Sequence, residues 1–79
     1  MAIQRFYLTY SQEQIKEPVI YQVGRKFRVV TNIRSASISD HVGIVGLELE
    51  GEPDQIADAV KWIAAQGVKV EPIEKNVIE

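Results

Sequence analysis

The chain has 79 residues, a formal net charge of -2, 46% hydrophobic and 25% charged residues, and no cysteine. A chain this short forms one domain, near the lower size at which a hydrophobic core suffices. The lack of cysteine excludes disulfides, thiolate metal sites, an intrinsic iron–sulfur cluster and a cysteine nucleophile. The charge balance gives no support for binding nucleic acid or anionic membranes. No segment has the length of a signal peptide's apolar run or of a membrane span, so we expect a cytoplasmic protein without direct membrane insertion.

The first half of the chain predicts a strand, a loop and a helix. Residues 3–10 alternate as a half-buried strand does, with aromatic and apolar side chains interleaved with threonine and tyrosine. The polar segment 11–17 is predicted to be a loop, and Pro18 after it suits the first position of a helix. The buried stripe of that helix is expected at Val19, Ile20, Val23 and Phe27. Gly24 within it predicts a close approach between the helix and a strand.

Residues 29–38 contain no glycine or proline and predict a second strand with a two-residue alternation. One face would carry Thr31, Ile33, Ser35 and Ser37, and the other Val30, Asn32, Arg34, Ala36 and Ile38. Neither face is cleanly apolar or cleanly polar. Such a mixture suits a strand that contacts a ligand or a second subunit, but the residues alone favour a solvated edge strand, since polar groups on an edge commonly protect against aggregation.

The second half predicts a hairpin, a helix and a last strand. A polar turn at 39–41 contains the single histidine, which we expect to be exposed, and it leads into a strand at 42–50. A helix follows from Pro53, with a buried stripe at Ile56, Ala59, Val60 and Ile63 and with Trp62 beside it, against the sheet margin or the tail. Gly67 is predicted to be a left-handed cap before a strand at 68–71.

The order strand, helix, strand, strand, helix, strand predicts an α+β, ferredoxin-like (ACT-like) βαββαβ fold, a four-stranded antiparallel sheet with two helices on one face. The domain should occupy residues 1–79, with a core at about 3–73 and a charged tail at 74–79. The other face of the sheet is expected to carry residues of which several are apolar: Tyr7, Thr9, Val30, Asn32, Arg34, Ala36, Ile38, Val42, Ile44 and Gly46. An exposed apolar patch marks an interaction site. A second copy of the chain should cover it, or alternatively the tail with Val77 and Ile78.

The chain closely resembles the NIL domain, the C-terminal regulatory domain of bacterial ABC transporter ATPases that import methionine. The runs that carry this resemblance are Pro18-Val19-Ile20, Asn32-Ile33-Arg34, Gly43, Leu47-Glu48-Leu49-Glu50-Gly51 and Gln66-Gly67-Val68-Lys69-Val70-Glu71. The resemblance implies a dimer that binds an amino acid near the subunit interface. The family's Asn-Ile-Leu corresponds to Asn32-Ile33-Arg34, so ligand contacts are expected at Asn32 and Ile33, with Arg34, Ser37 and Ile38 as neighbours on the same strand.

Two functions follow as hypotheses. In the first, the chain is a homodimeric regulatory domain that senses an amino acid, methionine or another sulfur amino acid, and modulates a transporter ATPase or a sulfur-metabolism partner. In the second, it is an interaction module without a ligand that docks through its sheet face or edge strand. With no ATPase domain in its 79 residues, the chain is expected to act as a stand-alone domain. We predict no enzyme activity, metal, cofactor or nucleic-acid partner.

Overall fold

A computed structural model describes residues 1–73, apart from the side chain of Ile15. The elements are β1 (Ala2–Ser11), a short 3-10 helix (Gln14–Lys16), α1 (Val19–Lys26), β2 (Val29–Ile38), β3 (Val42–Gly51), α2 (Pro53–Ala65) and β4 (Lys69–Pro72). The strands pair antiparallel in the order β2-β3-β1-β4. The predicted α+β, ferredoxin-like fold is confirmed, and β2 is an outer strand. The predicted tail at 74–79, with its alternative role for Val77 and Ile78, lies outside the described residues.

The core forms between the helices and one face of the sheet. Its members alternate along the strands and recur at helical spacing along α1 and α2: Phe6, Leu8, Tyr10, Val19, Val23, Val29, Val45, Leu47, Leu49, Ile56, Ala59, Ile63 and Val68. Burial of these side chains is the main favourable term in folding. The apolar stripes predicted for both helices therefore reflect real packing, with Ile20, Phe27 and Val60 partly buried against the core.

Phe27 lies one residue beyond the last residue of α1, as its C-cap, and is partly buried against the core. Its backbone is extended, with φ -125° and ψ 159°, because β2 begins two residues later. Its ring packs against Trp62 of α2 with 6.4 Å between the ring centroids, and the Lys26 ammonium lies 5.7 Å from the Trp62 ring centre. Trp62 thus contacts the end of α1, a contact that the sequence did not predict, whereas the tail against which it was predicted to lie falls outside the described residues.

The start of α1 and the segment before it also differ from prediction. Pro18 precedes the helix as its N-cap and is not the first helical residue. The predicted loop contains a 3-10 turn, whose entry is held by two reciprocal bonds: the Ser11 N–H donates to Gln14 Oε1 at 2.9 Å, and the Gln14 N–H donates to Ser11 Oγ at 3.4 Å. Ser11 and Gln14 have the Ser-x-x-Gln spacing of a capping box, so the sequence does contain a signal for this turn.

Two of the glycine predictions have different outcomes. Gly67 has φ +92° and its N–H donates to the Ala64 carbonyl at 2.9 Å, so it is the predicted left-handed cap. Gly24 has room for a side chain, since an added Cβ would lie 3.8 Å from Thr31 Cγ2, an ordinary contact. α1 therefore does approach β2 at this position, but not so closely that the position requires glycine.

β2 contains a bulge that changes which residues share a face. Ile33 pairs with Leu47 and Ser35 pairs with Gly46, so Arg34 is an extra residue with no partner of its own in the ladder. One extra residue reverses the alternation beyond it. The prediction that Ala36 and Ile38 share a face with Val30 and Asn32 is therefore wrong: Ala36 and Ile38 pair with Val45 and Gly43 on the helix side, and Ser35 and Ser37 take the opposite face.

Candidate ligand and partner surfaces

The bulge divides the five predicted ligand contacts between the two sides of the sheet. Ile33 and Ile38 lie on the helix side, where both line a groove. Asn32 pairs with Glu48 and Ser37 with Ile44, which puts both on the side without helices, hereafter the open face. The Arg34 side chain is on the open face as well, because its Nη1 lies 3.4 Å from Glu48 Oε1. The predicted contacts therefore form two separate groups, with Ile33 and Ile38 on the helix side and Asn32, Arg34 and Ser37 on the open face.

The groove on the helix side lies between the first turn of α1 and the end of the β2–β3 hairpin that is next to its turn. We call it the β2–α1 groove. It exists because α1 has eight residues whereas β2 and β3 have ten each, so the hairpin extends past the helix. Its volume is about 220 Å³, and its lining consists of Tyr10, Glu17, Pro18, Ile20, Tyr21, Ile33, Ala36, Ile38, Gly43 and Val45.

Three residues that line this otherwise apolar groove have polar side-chain atoms: Tyr10, Glu17 and Tyr21, whose hydroxyl accepts a hydrogen bond from Arg25 Nη1 at 3.0 Å. Of the described lining residues, Glu17 alone carries a charge. Tyr10 is only 6% exposed, and burial raises the pKa of its phenol above the usual value, so the hydroxyl stays protonated at neutral pH. In the described part of the chain, no hydrogen bond engages that hydroxyl. The groove therefore offers one anion and one uncommitted donor.

The backbone at one end of the groove is also polar. α1 begins there, and its N-cap is a proline that supplies no side-chain hydrogen bond. The first N–H groups of a helix have no partner within the helix and favour negative charge. The Val19 N–H already donates to the Glu17 carbonyl at 2.8 Å, so a small anionic group at this end of the groove would meet only the N–H groups that follow it.

The open face combines exposed apolar side chains with a charged cluster. Five large apolar side chains are exposed there: Ile3, Tyr7, Val30, Val42 and Ile44. Glu48 joins two strands, with Arg5 Nε at 3.5 Å and Arg34 Nη1 at 3.4 Å from the same carboxylate oxygen. An apolar surface interrupted by paired charges suits contact with another protein.

The two edges of the sheet differ in how they are protected. β4 is four residues long and contains Lys69, Glu71 and Pro72, and short length, charge and proline all disfavour pairing with a further strand. β2 is ten residues long with Arg34 as its single charged residue. β2 is thus the edge that is open to strand addition.

Residues 1–73 contain no group of three or more His, Asp or Glu side chains placed to hold a metal ion. His41 is exposed in the hairpin turn, as predicted, and its N–H donates to Ser39 Oγ at 3.3 Å. None of the helices described for this chain has both the length and the apolar character needed to cross a membrane.

The family model for the NIL domain matches residues 4–72. The chain belongs to the NIL domain family. Among solved structures, the fold is similar to the C-terminal domain of an ABC transporter ATP-binding protein from Enterococcus faecalis, with a TM-score of 0.82 and 25% sequence identity over 91% of this chain and 84% of that one. No match was found among curated proteins.

Within this NIL domain, reasoning from the sequence missed Tyr10, Glu17, Ile20 and Tyr21 as residues beside Ile33 and Ile38. They lie on β1, on the segment before α1 and on α1, and only the packing of α1 on the sheet brings them to β2. Glu17 immediately before Pro18 marks where the helix begins, but nothing in that spacing indicates a groove.

Proposed function

We propose that this NIL domain is a regulatory domain of an ABC transporter ATPase, that it performs no catalysis itself, and that it responds to an amino acid. The observation that supports this most strongly is its similarity, along 91% of its length, to the C-terminal domain of an ABC transporter ATP-binding protein. Fold alone does not define function; here membership of the family over residues 4–72 adds to the fold. An ATPase partner of this kind would place the domain in the cytoplasm.

The arrangement of the ionisable groups supports a binding role over a catalytic one. Glu48 is held between Arg5 and Arg34, and Lys69 is paired with Glu71 at 3.8 Å. A catalytic centre needs a nucleophile or proton-transfer group set beside a partner with a matched pKa. The groups paired here are those of a stabilised protein surface.

We further propose that the functional unit is a homodimer formed through the open face. The exposed apolar side chains of that face lie on three neighbouring strands, β1, β2 and β3, and so form one surface. A two-fold dimer would bury the same patch from both copies. The Arg5–Glu48–Arg34 cluster would then exchange some of its solvent contacts for contacts with the partner copy.

The proposed ligand is methionine or another amino acid with an apolar side chain, bound beside β2. Of the five predicted contacts, Ile33 and Ile38 are best placed to hold such a side chain because they line the β2–α1 groove. Asn32 and Ser37 remain predicted contacts on the open face. Arg34 is already paired with Glu48, which makes it a weaker candidate for binding the ligand's carboxylate.

The proposal is tested by a thermal-shift screen of the purified protein against the twenty common amino acids, with its mass in solution measured in parallel. Ligand that binds the folded state raises the melting temperature by mass action, equivalent to about 2.7 kcal/mol of stability at a hundredfold excess over Kd. We expect a selective shift with methionine or a similar apolar amino acid. If no amino acid shifts the melting temperature, the sensing role is wrong.

A second candidate function rests on the long outer edge of β2, which has Arg34 as its single charged residue. In it the domain binds no ligand and instead docks on its partner by adding a strand to this edge. Two results distinguish this function from the first. Docking without a ligand predicts that no amino acid raises the melting temperature. It also predicts that the domain binds a purified transporter ATPase and that Ser35→Pro on β2 abolishes this binding.

A further inference from the structure

We propose that the half of β2 next to the hairpin turn, residues 35–38, is a docking edge for one extended segment of a partner protein. The segment would add antiparallel to β2, place one apolar side chain in the β2–α1 groove and carry a basic residue toward Glu17. This inference rests on the second candidate function, strand addition, and goes further. It assigns the part of β2 that pairs, the side chain that specifies the partner and the charge of the partner segment.

The backbone of this half of β2 has hydrogen-bonding groups that point away from the sheet. The Ser39 N–H donates to the Val42 carbonyl at 2.9 Å, and bonded pairs alternate with non-bonded pairs along an antiparallel ladder. The residues of β2 two and four positions before Ser39 are therefore bonded to β3. The N–H and C=O groups of Ala36 and Ile38 point to the other side, where β2 has no neighbouring strand in the described part of the chain.

The bulge restricts strand addition to this half of β2. Ile33 and Ala36 both lie on the helix side, yet they are three residues apart because Arg34 is an extra residue. Side chains on one face of a regular strand recur at every second residue. A regular strand in register with Ala36 and Ile38 is therefore out of register before the bulge. The helix side of that other half is already filled, since Val29 is buried in the core.

The groove provides a pocket for one side chain of the added strand. Residues that are opposite each other on neighbouring strands share a face, so the partner residue opposite Ala36 would project to the helix side. Next to it in the same row are Ala36, which has only a methyl group, and Val45, which also lines the groove. Ile38 and Tyr21 line the groove as well and are each 63% exposed. A long apolar side chain that passes over Ala36 would remove these surfaces from water, which is favourable in proportion to the apolar area buried.

The combination of a free strand edge and an apolar pocket favours an extended segment over other occupants. In recognition by strand addition, main-chain hydrogen bonds supply affinity and pockets for alternate side chains supply specificity. The groove has a volume of about 220 Å³, below the roughly 300–1,000 Å³ of sites for drug-sized ligands. One side chain is of the right size, whereas a partner helix would leave the backbone groups of Ala36 and Ile38 without a partner.

Charge indicates the composition of the segment. Glu17 is the only charged residue among the described residues that line the groove, and Asp40 follows β2 in the hairpin turn. The N-terminal end of an antiparallel segment lies toward this turn. Complementary charge therefore favours a lysine or arginine at that end, two or four residues before the apolar side chain that enters the groove.

The inference is tested by calorimetric titration of the full chain with the synthetic peptide acetyl-Lys-Thr-Val-Thr-Leu-Thr-amide. Antiparallel pairing places its leucine opposite Ala36 and its valine opposite Ile38, and we expect saturable binding. N-methylation of the leucine removes the N–H that would donate to the Ala36 carbonyl and should weaken binding at least about tenfold. N-methylation of the threonine before it is the matched control, because that N–H points away from β2, and should leave the Kd within about twofold.

Variants of the protein locate the pocket on one side of the sheet. Ile38→Asp places a charge in the groove and should abolish binding of the peptide. Ile44→Asp places the same charge on the open face, at a residue that is 43% exposed, and should leave the Kd within about twofold of the wild type. Glu17→Gln should weaken binding roughly two- to fivefold, as loss of an exposed ion pair does. The two aspartate variants replace exposed side chains and should keep a melting temperature close to that of the wild type.

Amide hydrogen exchange reports which part of β2 pairs with the peptide. In the free protein, the amides of Ser35 and Ser37 should exchange slowly, because they are bonded to β3, and those of Ala36 and Ile38 quickly. The peptide should slow exchange at Ala36 and Ile38 and leave the amides before the bulge unchanged.

Slowed exchange at Ala36 and Ile38, with binding lost on N-methylation of the leucine and in Ile38→Asp, supports the inference. No binding of the peptide, equal effects of the two N-methyl groups, or slowed exchange before the bulge overturns it. Slow exchange at Ala36 and Ile38 in the protein alone also overturns it, because a second copy would then cover the edge.

The function on which the inference rests fails separately. If the peptide does not bind but Ser35→Pro abolishes binding to a purified transporter ATPase, strand addition stands and the inference is wrong. If the peptide binds as described but the ATPase does not, the docking edge stands and its partner is a different protein.

Discussion

Tyr10 is a buried core residue whose pKa is raised and which also lines the β2–α1 groove. Its side chain is part of the core and lines the β2–α1 groove, and burial disfavours the charged phenolate and so raises the pKa of its hydroxyl. The folded protein therefore keeps this proton at a pH where the unfolded chain has begun to release it, and the contribution to stability is lost as pH rises through the folded pKa.

We predict that the free energy of unfolding falls between about pH 9 and pH 11, around the usual tyrosine pKa, and that Tyr10→Phe reduces this fall. Urea unfolding of the wild type and of Tyr10→Phe at a series of pH values measures the fall in the free energy of unfolding. Tyr21→Phe is the matched control, since Tyr21 is exposed and should keep the alkaline loss of the wild type. Equal alkaline loss in the wild type and Tyr10→Phe would contradict the prediction.

The glycines at positions 24 and 51 should respond to alanine in opposite directions. Gly24→Ala adds a Cβ with ordinary contacts inside a helix and should stabilise the protein by about 0.5–1 kcal/mol. At Gly51 the added Cβ would lie 2.7 Å from the backbone carbonyl oxygen of Arg28. Gly51→Ala should destabilise by about 1–3 kcal/mol, the range for overpacking a core. Chemical denaturation of both variants checks this, and destabilisation by Gly24→Ala would show that its side-chain space is filled in solution.

At the scale of elements, the bulge at Arg34 determines which side chains of β2 lie on the helix side and which lie on the open face. Deleting Arg34 would join Ile33 directly to Ser35 and keep every other residue opposite its present partner on β3. We predict that this deletion folds with a stability within about 1 kcal/mol of the wild type, since its main loss is an exposed ion pair.

Deleting Asn32 is the control, because it also shortens β2 by one residue but moves Ile33 to the open face and Arg34 opposite Leu47 on the helix side. Denaturant unfolding should show it to be less stable than the Arg34 deletion. Equal stability of the two deletion variants would mean that the register of β2 is not the one described.

The elements themselves follow from periodicity in the sequence, whereas the bulge and the groove do not. Alternation along β1 and β3 and the stripe of α2 predict the core correctly because each residue's burial there is set by its own element. The reversal at Arg34 depends on how β2 pairs with β3, and the contact of Phe27 with Trp62 depends on how α1 packs beside α2. Both features depend on contacts between elements, and the periodicity of residues within one element does not predict such contacts.

At the scale of the whole molecule, the sheet is covered by helices on one side and exposes apolar side chains on the other. We predict that light scattering coupled to size exclusion gives twice the chain mass of 8.9 kDa, and that Ile44→Asp shifts the protein to the monomer by placing a charge at the proposed interface. Ile38→Asp lies on the helix side and should remain dimeric. A monomeric wild type, or dissociation by Ile38→Asp alone, would contradict a dimer formed through the open face.

The two sides of β2 thus have separate proposed tasks, with the groove for an amino acid and the open face for a second copy. The isoleucines of the chain report on both sides at once: Ile20, Ile33 and Ile38 line the groove, and Ile3 and Ile44 lie on the open face.

The most direct measurement is a methyl NMR titration of the isoleucine-labelled protein with L-methionine. Binding in the groove predicts shift changes concentrated at Ile20, Ile33 and Ile38, with Ile3 and Ile44 nearly unchanged. Changes concentrated at Ile3 and Ile44, or no change at any of the five methyl groups at saturating ligand, would contradict the proposed site.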